Sequence, residues 1–469
     1  MRTLFPSNYN WGVFILAGLI IRLVFVDMSW WSFFAIMISL YQFSLLFKSI
    51  GHIIPTRHLL GSFMCLQFFI GSSFAYSGLD KYQYFKYRMK IPEADYFSYA
   101  FPAVILFIIG LHIMAGNYKG EVVDKKSIEL FVKKNPGLPY AFIIVGFLSS
   151  VVSGSFGSEL SFVFYLLGSF KFIGLFLLII GGKQLKVLPL VIVIGSIFGS
   201  SLVSAMFHDL LTWIIFTAAV FGIKYKFSFK IKLIGMASFI FLAMTIQVLK
   251  GAYREAKGNT NIGAGAETFA NLYEEQSEQG GILNFKSLAV SNVRINQGFI
   301  ITNIMQQVPL REPFARGAEM NQILEAAFMP RILAPNKLRA GDRTIFMKYS
   351  GIPVQPGTSM GLSSLGDAYV NYGIFGGVIF MFILGFVYSE VLKVFQKQSF
   401  TYPVLILFVP LVFYYPIRPD CELQTILGHL VKSCFLIFVM IQVWKVKFMV
   451  RRGESSLSKA GNSGTIASR

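Results

Sequence analysis

Long runs of apolar residues, separated by short clusters of charged and turn-forming residues, fill most of the chain. Crossing the apolar core of a bilayer takes a helix of about 20 residues, within a range of about 17 to 25. Twelve runs approach that length: 11–26, 30–47, 59–79, 97–115, 138–152, 160–180, 187–205, 210–223, 231–248, 369–389, 402–415 and 426–443. Three of them, 138–152, 210–223 and 402–415, hold only 14 or 15 residues, so they either tilt differently or are re-entrant. All five tryptophans, Trp11, Trp30, Trp31, Trp213 and Trp444, fall near the ends of runs, where an amphipathic indole is favoured at the membrane interface. The pattern predicts an all-α, polytopic membrane protein of about 12 transmembrane helices.

One long polar interval, 249–366, separates the ninth run from the tenth. Its first third is Gly-rich and acidic, with Glu267, Glu274, Glu275 and Glu278. Farther on, Leu288, Val293, Ile295, Ile300 and Ile304 recur at roughly helical spacing, which predicts a helix over 287–307 that ends at Pro309. A second helix is expected over 319–328, stopping before Pro330 because proline has no amide hydrogen and clashes with the preceding turn. The chain therefore divides into helices 1–9 (1–248), a large helical loop (249–366), helices 10–12 (367–447) and a tail (448–469) whose Ser/Gly-rich end is expected to be disordered. No internal repeat is visible.

Composition agrees with the pattern. Hydrophobic residues make up 55% of the 469 positions, mean hydropathy is +0.61 and charged residues are 14%, against about 25% in soluble domains. A formal net charge of +19 would suggest nucleic acid on a soluble chain, but on an apolar one it reflects lysines placed on cytoplasmic loops. With both termini in the cytoplasm, cytoplasmic segments hold 22 Lys+Arg and the short outer loops hold 5. Long loops translocate largely regardless of charge, so this contrast sets the orientation and makes 249–366 extracytoplasmic. Nucleic acid is not an expected partner; membrane lipid is. The first run, preceded by Arg2 and lacking a small-residue cleavage site, reads as an uncleaved helix. Cys65, Cys421 and Cys434 are scattered and form no metal or disulfide pattern.

The charges that topology does not explain are fewer. Between Lys286 and Lys348 the loop carries nine Lys+Arg against four acids, and the whole loop has seven arginines: Arg254, Arg294, Arg311, Arg316, Arg331, Arg339 and Arg343. Guanidinium forks bind phosphate oxygens in pairs and stay charged, which suits a diphosphate; the alternative for any one of them is a solvated surface charge. Arg294 lies within an otherwise apolar helical pattern and needs an anion. Lys171 sits near the middle of the sixth run, where a charge costs about 2.5 to 3.5 kcal/mol, so it faces either an ion-pair partner or an anionic substrate. Arg22, near a run end, snorkels to the interface. The last outer loop, Pro416-Ile-Arg-Pro-Asp-Cys-Glu422, is made rigid by two prolines and presents Arg418 and Asp420, as a site or as a turn. The long loop contains no histidine, and the chain no Asp-x-Asp, so neither a metal nor another cofactor is expected, and arginines must supply the neutralising charge.

Arg294-Ile-Asn-Gln297, the run Met329-Pro-Arg-Ile-Leu-Ala-Pro-Asn-Lys337, and above all Gly366-Asp-Ala-Tyr-Val-Asn-Tyr-Gly-Ile-Phe-Gly-Gly377 entering a membrane helix resemble the Wzy-type O-antigen polymerases, which join oligosaccharide repeat units of bacterial surface polysaccharide. A dozen helices with one large periplasmic loop before the last three match that family over the whole chain. Arg418-Pro-Asp420 is similar to an Arg-Gly-Asp-like turn of such polymerases but departs at its middle residue. The resemblance implies a GT-C-like fold in the inner membrane and an inverting transfer between undecaprenyl-diphosphate-linked oligosaccharides, with a flippase and a chain-length regulator as pathway partners. It makes Arg294, Arg331, Arg339 and Arg418 the expected diphosphate clamp, with Lys337, Arg343 and Lys171 as further substrate contacts. For the proton acceptor Asp367 comes before Asp420 and Glu319, the alternative for Asp367 being a helix N-terminal acid stabilised by the macrodipole. Two other functions fit less well: an O-antigen ligase is expected to use a loop histidine, and a flippase of lipid-linked oligosaccharide to have two similar halves with short loops.

Overall fold

A computed structural model of the chain describes residues 3–7, 9–78, 81, 87–115, 120–155, 158–259, 265–278, 280–329, 333–338, 341–355 and 360–449. The expected tail from 450 onward, and with it the Ser/Gly-rich end, lies outside the described residues.

The helices before the long loop are α1 (Trp11–Val24), α2 (Trp30–Ser49), α3 (Thr56–Cys65), α4 (Gly71–Tyr76), α5 (Glu93–Ile113), α6 (Lys125–Lys134), α7 (Leu138–Val152), α8 (Ser158–Gly168), α9 (Phe170–Gly181), α10 (Val187–Ser204), α11 (His208–Tyr225) and α12 (Phe229–Asn259). The loop folds as α13 (Ala266–Glu278), α14 (Phe285–Ile295), α15 (Gly298–Gln307), α16 (Ala318–Phe328) and α17 (Arg343–Ser350). After it come α18 (Ser363–Ser399), α19 (Val409–Val412), α20 (Leu423–Val443) and α21 (Lys445–Phe448). Side-chain caps start several helices where the sequence supplies them: Asn10, Ser29, Asp124, Asn284 and Asp342 each accept a bond from a first-turn amide.

Among the described residues nine helices are long and apolar enough to cross a membrane, so the chain is a polytopic, helical membrane protein. Of the other three expected runs, two coincide with shorter apolar helices, Trp11–Val24 and Pro403–Val412, and the third with α11, which carries His208, Asp209 and Lys224 near its ends. The segment Pro403–Val412 begins as a 3₁₀-helix over Pro403–Phe408 and is buried at every position. At about 2.0 Å per residue a 3₁₀-helix covers more depth than an α-helix of equal length, and irregular backbone at membrane depth is tolerated where protein surrounds it.

The bundle is organised on α5 and α18, which run against each other along most of their length. They approach closely because Gly110 and Gly385 each face the other helix's backbone, leaving no room for a Cβ. On one side α2 and α3 pack against this pair, and on the other the 3₁₀ segment joins it to α9, which in turn carries α6, α7 and α11. The end of the bundle away from the long loop is tied by a short two-stranded sheet, Ile53–Ile54 with Glu121–Val122, a small departure from the all-α expectation. There Arg57 Nε donates to Glu121 Oε1 at 2.7 Å and its Nη1 to Ser389 Oγ at 2.6 Å and to Leu111 O. Removing one member of so buried a pair costs about 3–5 kcal/mol.

The loop is docked on the bundle. α12 continues as one 31-residue helix past residue 249, about 46 Å at 1.5 Å per residue, and so carries Lys250 and Arg254 beyond its apolar stretch. α14 packs on α12 and α4, α15 on α4, α5 and α18, and α16 on α20. The helix expected over 287–307 is two helices, interrupted at Asn296 and Gln297. Apolar spacing continues across the break, but the buried Asn296 side chain and the Gln297 amide are pulled to partners in the bundle, Ser72 and the Gln67 carbonyl.

Candidate functional site

The site begins with a π-helical turn. Between α3 and α4 the five residues Leu66–Ile70 form a π-helix, which frees backbone carbonyls from the regular ladder and is frequent at functional sites. The freed carbonyls are taken from outside: Tyr96 Oη donates to Phe68 O at 2.8 Å, and the Gln297 amide to Gln67 O at 3.1 Å. Asn292 Nδ2 donates to Gly71 O at 3.0 Å, and Asn296 Oδ1 accepts from Ser72 Oγ at 3.1 Å and from the Gly298 amide at 2.8 Å. The approach is so close that a Cβ on Gly71 would lie 2.7 Å from Asn296 Cα. Arg294-Ile-Asn-Gln297 is thus a docking element, and it fixes Arg294, exposed in the last turn of α14, above the bundle.

Arg418 arrives from the other side. Pro416 and Pro419 restrict its loop, and turn bonds Arg418 N to Tyr415 O (2.9 Å) and Cys421 N to Arg418 O (3.0 Å) hold it. The guanidinium lies over the Tyr415 ring, 5.4 Å from its centroid, and Nη2 meets Asp420 Oδ2 at 3.4 Å. Gln67, on the π turn, donates to the other Asp420 oxygen at 3.4 Å. Lys250, on the extension of α12, senses the charges of Arg254, Arg294 and Arg418 and the opposite charge of Asp420, and Arg254 senses Arg294. Arg254 Nε also donates to Ala205 O at 3.3 Å. Cations from three segments therefore lie within electrostatic reach of Lys250, and one of them, Arg418, pairs with Asp420. Like charges brought together at a protein surface repel by the order of a kcal/mol per pair, and an anion relieves that.

A second feature lies against the same loop. Glu319, Asp342, Asp367 and Glu422 line a cavity together with Phe346, Tyr349, Asn371 and Gln424. Asp367 is 6% exposed and accepts the Leu423 amide at 2.9 Å, at the start of α20. Glu422 Oε1 accepts from the Gly341 amide at 2.6 Å and from Thr425 Oγ1 at 2.7 Å. Burial pushes the Glu422 carboxyl above its ordinary range, aided by the nearby Asp342 and only partly offset by those two bonds. Glu319 accepts from Tyr349 Oη at 2.8 Å with Lys348 Nζ 3.6 Å away. Asn371 Oδ1 receives the Met320 amide at 3.0 Å, in the first turn of α16, and its Nδ2 donates to Asp367 O at 2.8 Å. The run 366–377 thereby ties the starts of α16, α18 and α20 around the cavity before α18 kinks at Gly373.

Of the residues singled out from sequence, the structure pairs Arg418 with Asp420, sets both beside the π turn on which the Arg294 segment docks, and puts Asp367 in the cavity with Glu319. Arg331 and Arg339 lie outside the described residues. Lys337 Nζ donates to Ala326 O at 3.1 Å and to Met329 O, at the C-terminal end of α16, a position that favours a cation. Arg343 is half-buried and opens α17, whose Asp342, Ile345 and Phe346 line the cavity. Lys171 lies inside the bundle with Nζ 5.1 Å from the Phe147 ring centroid and 5.7 Å from that of Phe172, a cation–π setting. Arg22 Nη1 reaches Met28 O at 2.5 Å beside Trp30. Lys250, Gln67 and Glu422 were not singled out from sequence, and Arg254 only as one basic loop residue among seven. Among the described residues, no group of three or more His, Cys, Asp or Glu side chains is arranged to hold a metal ion.

No curated protein and no solved structure matches the chain. The sequence profile described as O-antigen polysaccharide polymerase Wzy matches residues 140–451, 312 of the 469 positions, a span that takes in the Arg418 loop, the α12 extension and the cavity. Together with the helical membrane fold, this match shows that the chain belongs to the Wzy family of O-antigen polysaccharide polymerases.

Proposed function

We propose that the protein joins undecaprenyl-diphosphate-linked oligosaccharide repeat units at the periplasmic face of the bacterial inner membrane. The growing chain is the donor and a new lipid-linked repeat is the acceptor. An acceptor hydroxyl attacks the anomeric carbon of the donor, the bond from that carbon to the diphosphate oxygen breaks, and undecaprenyl diphosphate leaves with the electron pair. The hydroxyl proton passes to a carboxylate. The observation that carries this reading is the meeting at Gln67, whose side chain reaches Asp420 beside Arg418 and whose carbonyl takes the Gln297 amide three residues after Arg294, because preorganised cations are most useful where charge develops on a leaving group.

Asp367 is the proposed proton acceptor, with Glu319 and Glu422 beside it in the cavity. Asp420, bonded to Arg418 and Gln67, orients the guanidinium from within the cluster. The rigid 416–422 loop contributes to both places: Arg418 and Asp420 to the cations, Glu422 to the carboxylates. An inverting transfer needs this division, with the leaving group stabilised on one side of the sugar and the incoming hydroxyl deprotonated on the other. Arg331, Arg339 and Arg343 are proposed as further phosphate contacts, Lys337 as support for the loop that carries them, and Lys171 as a contact on the membrane side. A GT-C-like architecture and cytoplasmic termini complete the reading, supported by the large loop before the last three runs and by 22 Lys+Arg on one side against 5 on the other. A flippase of the same pathway would supply the substrate, and a chain-length regulator would set when transfer stops.

Deleting the gene tests the assignment. The strain is expected to make lipopolysaccharide with a single repeat while unpolymerised lipid-linked repeats accumulate on the periplasmic side. A retained ladder, or accumulation on the cytoplasmic side as for a lost flippase, would contradict it.

A further inference from the structure

No residue of the turn from α10 to α11 has a part in the reaction proposed above, yet the turn is held between segments that do. Ala205, which ends α10, has φ 52° and ψ 33°, a left-handed conformation uncommon outside glycine that persists only where the surroundings fix it. Here α12 and α13 fix it. Arg254 Nε, on the extension of α12, donates to Ala205 O at 3.3 Å. The Phe207 ring packs against Tyr253 of α12 and Phe269 of α13, with centroids 6.0 and 5.7 Å away.

The next two residues, His208 and Asp209, open α11. His208 Nε2 meets Asp209 Oδ1, and Asp209 lies within electrostatic reach of Arg418. The chain thereby sets His208 between two arginines, Arg254 bonded three residues before it and Arg418 facing the residue after it. The other polar groups about the pair are the hydroxyls of Tyr414, on the segment before α20, and of Tyr165, on α8. His208 is half-buried, and its second ring nitrogen has no bonded partner among the described residues.

This placement has an electrostatic consequence. Arg418 has Asp420 at 3.4 Å and Asp209 near it, so two carboxylates offset its charge and would oppose an incoming anion. A protonated imidazole on Asp209 cancels one of them. It also keeps an N–H free, aimed by the bond that the other nitrogen makes.

We propose that His208 is a further contact of the lipid-linked diphosphate: as the imidazolium paired with Asp209, it gives its free N–H to a phosphate oxygen from the α10–α11 turn. The proposal rests on the reading of Arg418 as a diphosphate ligand. It adds a donor from a segment that lies outside both the long loop and the 416–422 loop. The left-handed Ala205 lets one short turn serve both arginines, its carbonyl engaging Arg254 while the chain reverses within three residues into His208.

The test uses purified full-length protein in vesicles, supplied with an undecaprenyl-diphosphate-linked repeat unit, with kcat/KM for polymerisation and the melting temperature measured for each variant. His208→Ala is expected to lower kcat/KM about tenfold, the factor for losing one charge-assisted bond, at an unchanged melting temperature. His208→Gln, which keeps the bulk without the charge, should show the same loss. His208→Lys, which returns a cationic donor, should recover most of it, whereas a merely structural role would not be restored by so different a shape. Wild-type kcat/KM in His208→Ala and His208→Gln, or a loss that lysine fails to recover, would overturn the proposal. Arg418→Ala is measured alongside. If it is defective while His208→Ala is normal, only His208 leaves the site; if Arg418→Ala is itself normal, the diphosphate reading of that site falls.

Discussion

At Arg418 three constraints converge: two prolines set its backbone, the Tyr415 ring supports one face of the guanidinium, and Asp420 occupies one of its nitrogens. The other donors of the fork are left for an anion. Lysine would keep the charge but lose both the fork and the stacking, so Arg418→Lys is expected to cut polymer yield by about tenfold or more at normal protein levels; an unaltered ladder would exclude a forked contact. Glu422 makes a different prediction. Burial raises its carboxyl above the unfolded value of about 4.3, so its contribution to stability is present below that value and is lost as pH rises through the folded one. A glutamine at this position cannot ionise, and the melting temperature of Glu422→Gln relative to wild type should climb as pH rises above the unfolded value. A pH-independent difference would show that the carboxyl is not perturbed. Arg294, Arg418 and Asp420 were legible in the sequence because each is an unusual residue type in its setting, a charge in an apolar helix or a rigid turn. Lys250 and Arg254 were not. Lys250 lies just past an apolar run and Arg254 is one loop arginine among seven, and only the fold relates them to arginines some 40 and 165 residues away.

At the scale of elements, the twelve apolar runs could be read because length and hydropathy are local properties. The break between α14 and α15 could not, since Val293, Ile300 and Ile304, at steps of seven and four, keep one helical face across it. What decides the break is the π turn, whose free carbonyls and close backbone draw in Asn292, Asn296 and Gln297. At Gly71 that contact is backbone against backbone, with no room for a Cβ. Gly71→Ala is expected to cost about 1–3 kcal/mol by overpacking and to shift α14, and with it Arg294, so that the ladder shortens although no charge has been touched. Gly195→Ala, in α10 with open space around it, serves as the control and should leave the ladder intact. Equal ladders in the two variants would separate the docking contact from catalysis. The short run 402–415 signalled its own irregularity by length. The reason emerged only in three dimensions: every position from Pro403 to Val412 is buried, so a 3₁₀ path through protein replaces a full lipid-facing helix.

Over the whole molecule, the net charge of +19 separates into charges that orient the chain and a small group that meets in space. The long loop, which sequence reading treated as a unit of its own, is bound to the bundle through α12, α4, α18 and α20, so that cations from the loop and from the helix ends share one site. The central claim is that this site polymerises lipid-linked repeats by stabilising a departing diphosphate. Its most direct test is reconstitution: purified protein in vesicles, supplied only with an undecaprenyl-diphosphate-linked repeat unit, with polymer and free undecaprenyl diphosphate followed over time. The account predicts a ladder accompanied by one released undecaprenyl diphosphate per bond formed, and loss of both in Arg294→Ala and Arg418→Ala. Absence of polymer with the wild-type chain, or a ladder undiminished in both variants, would contradict it.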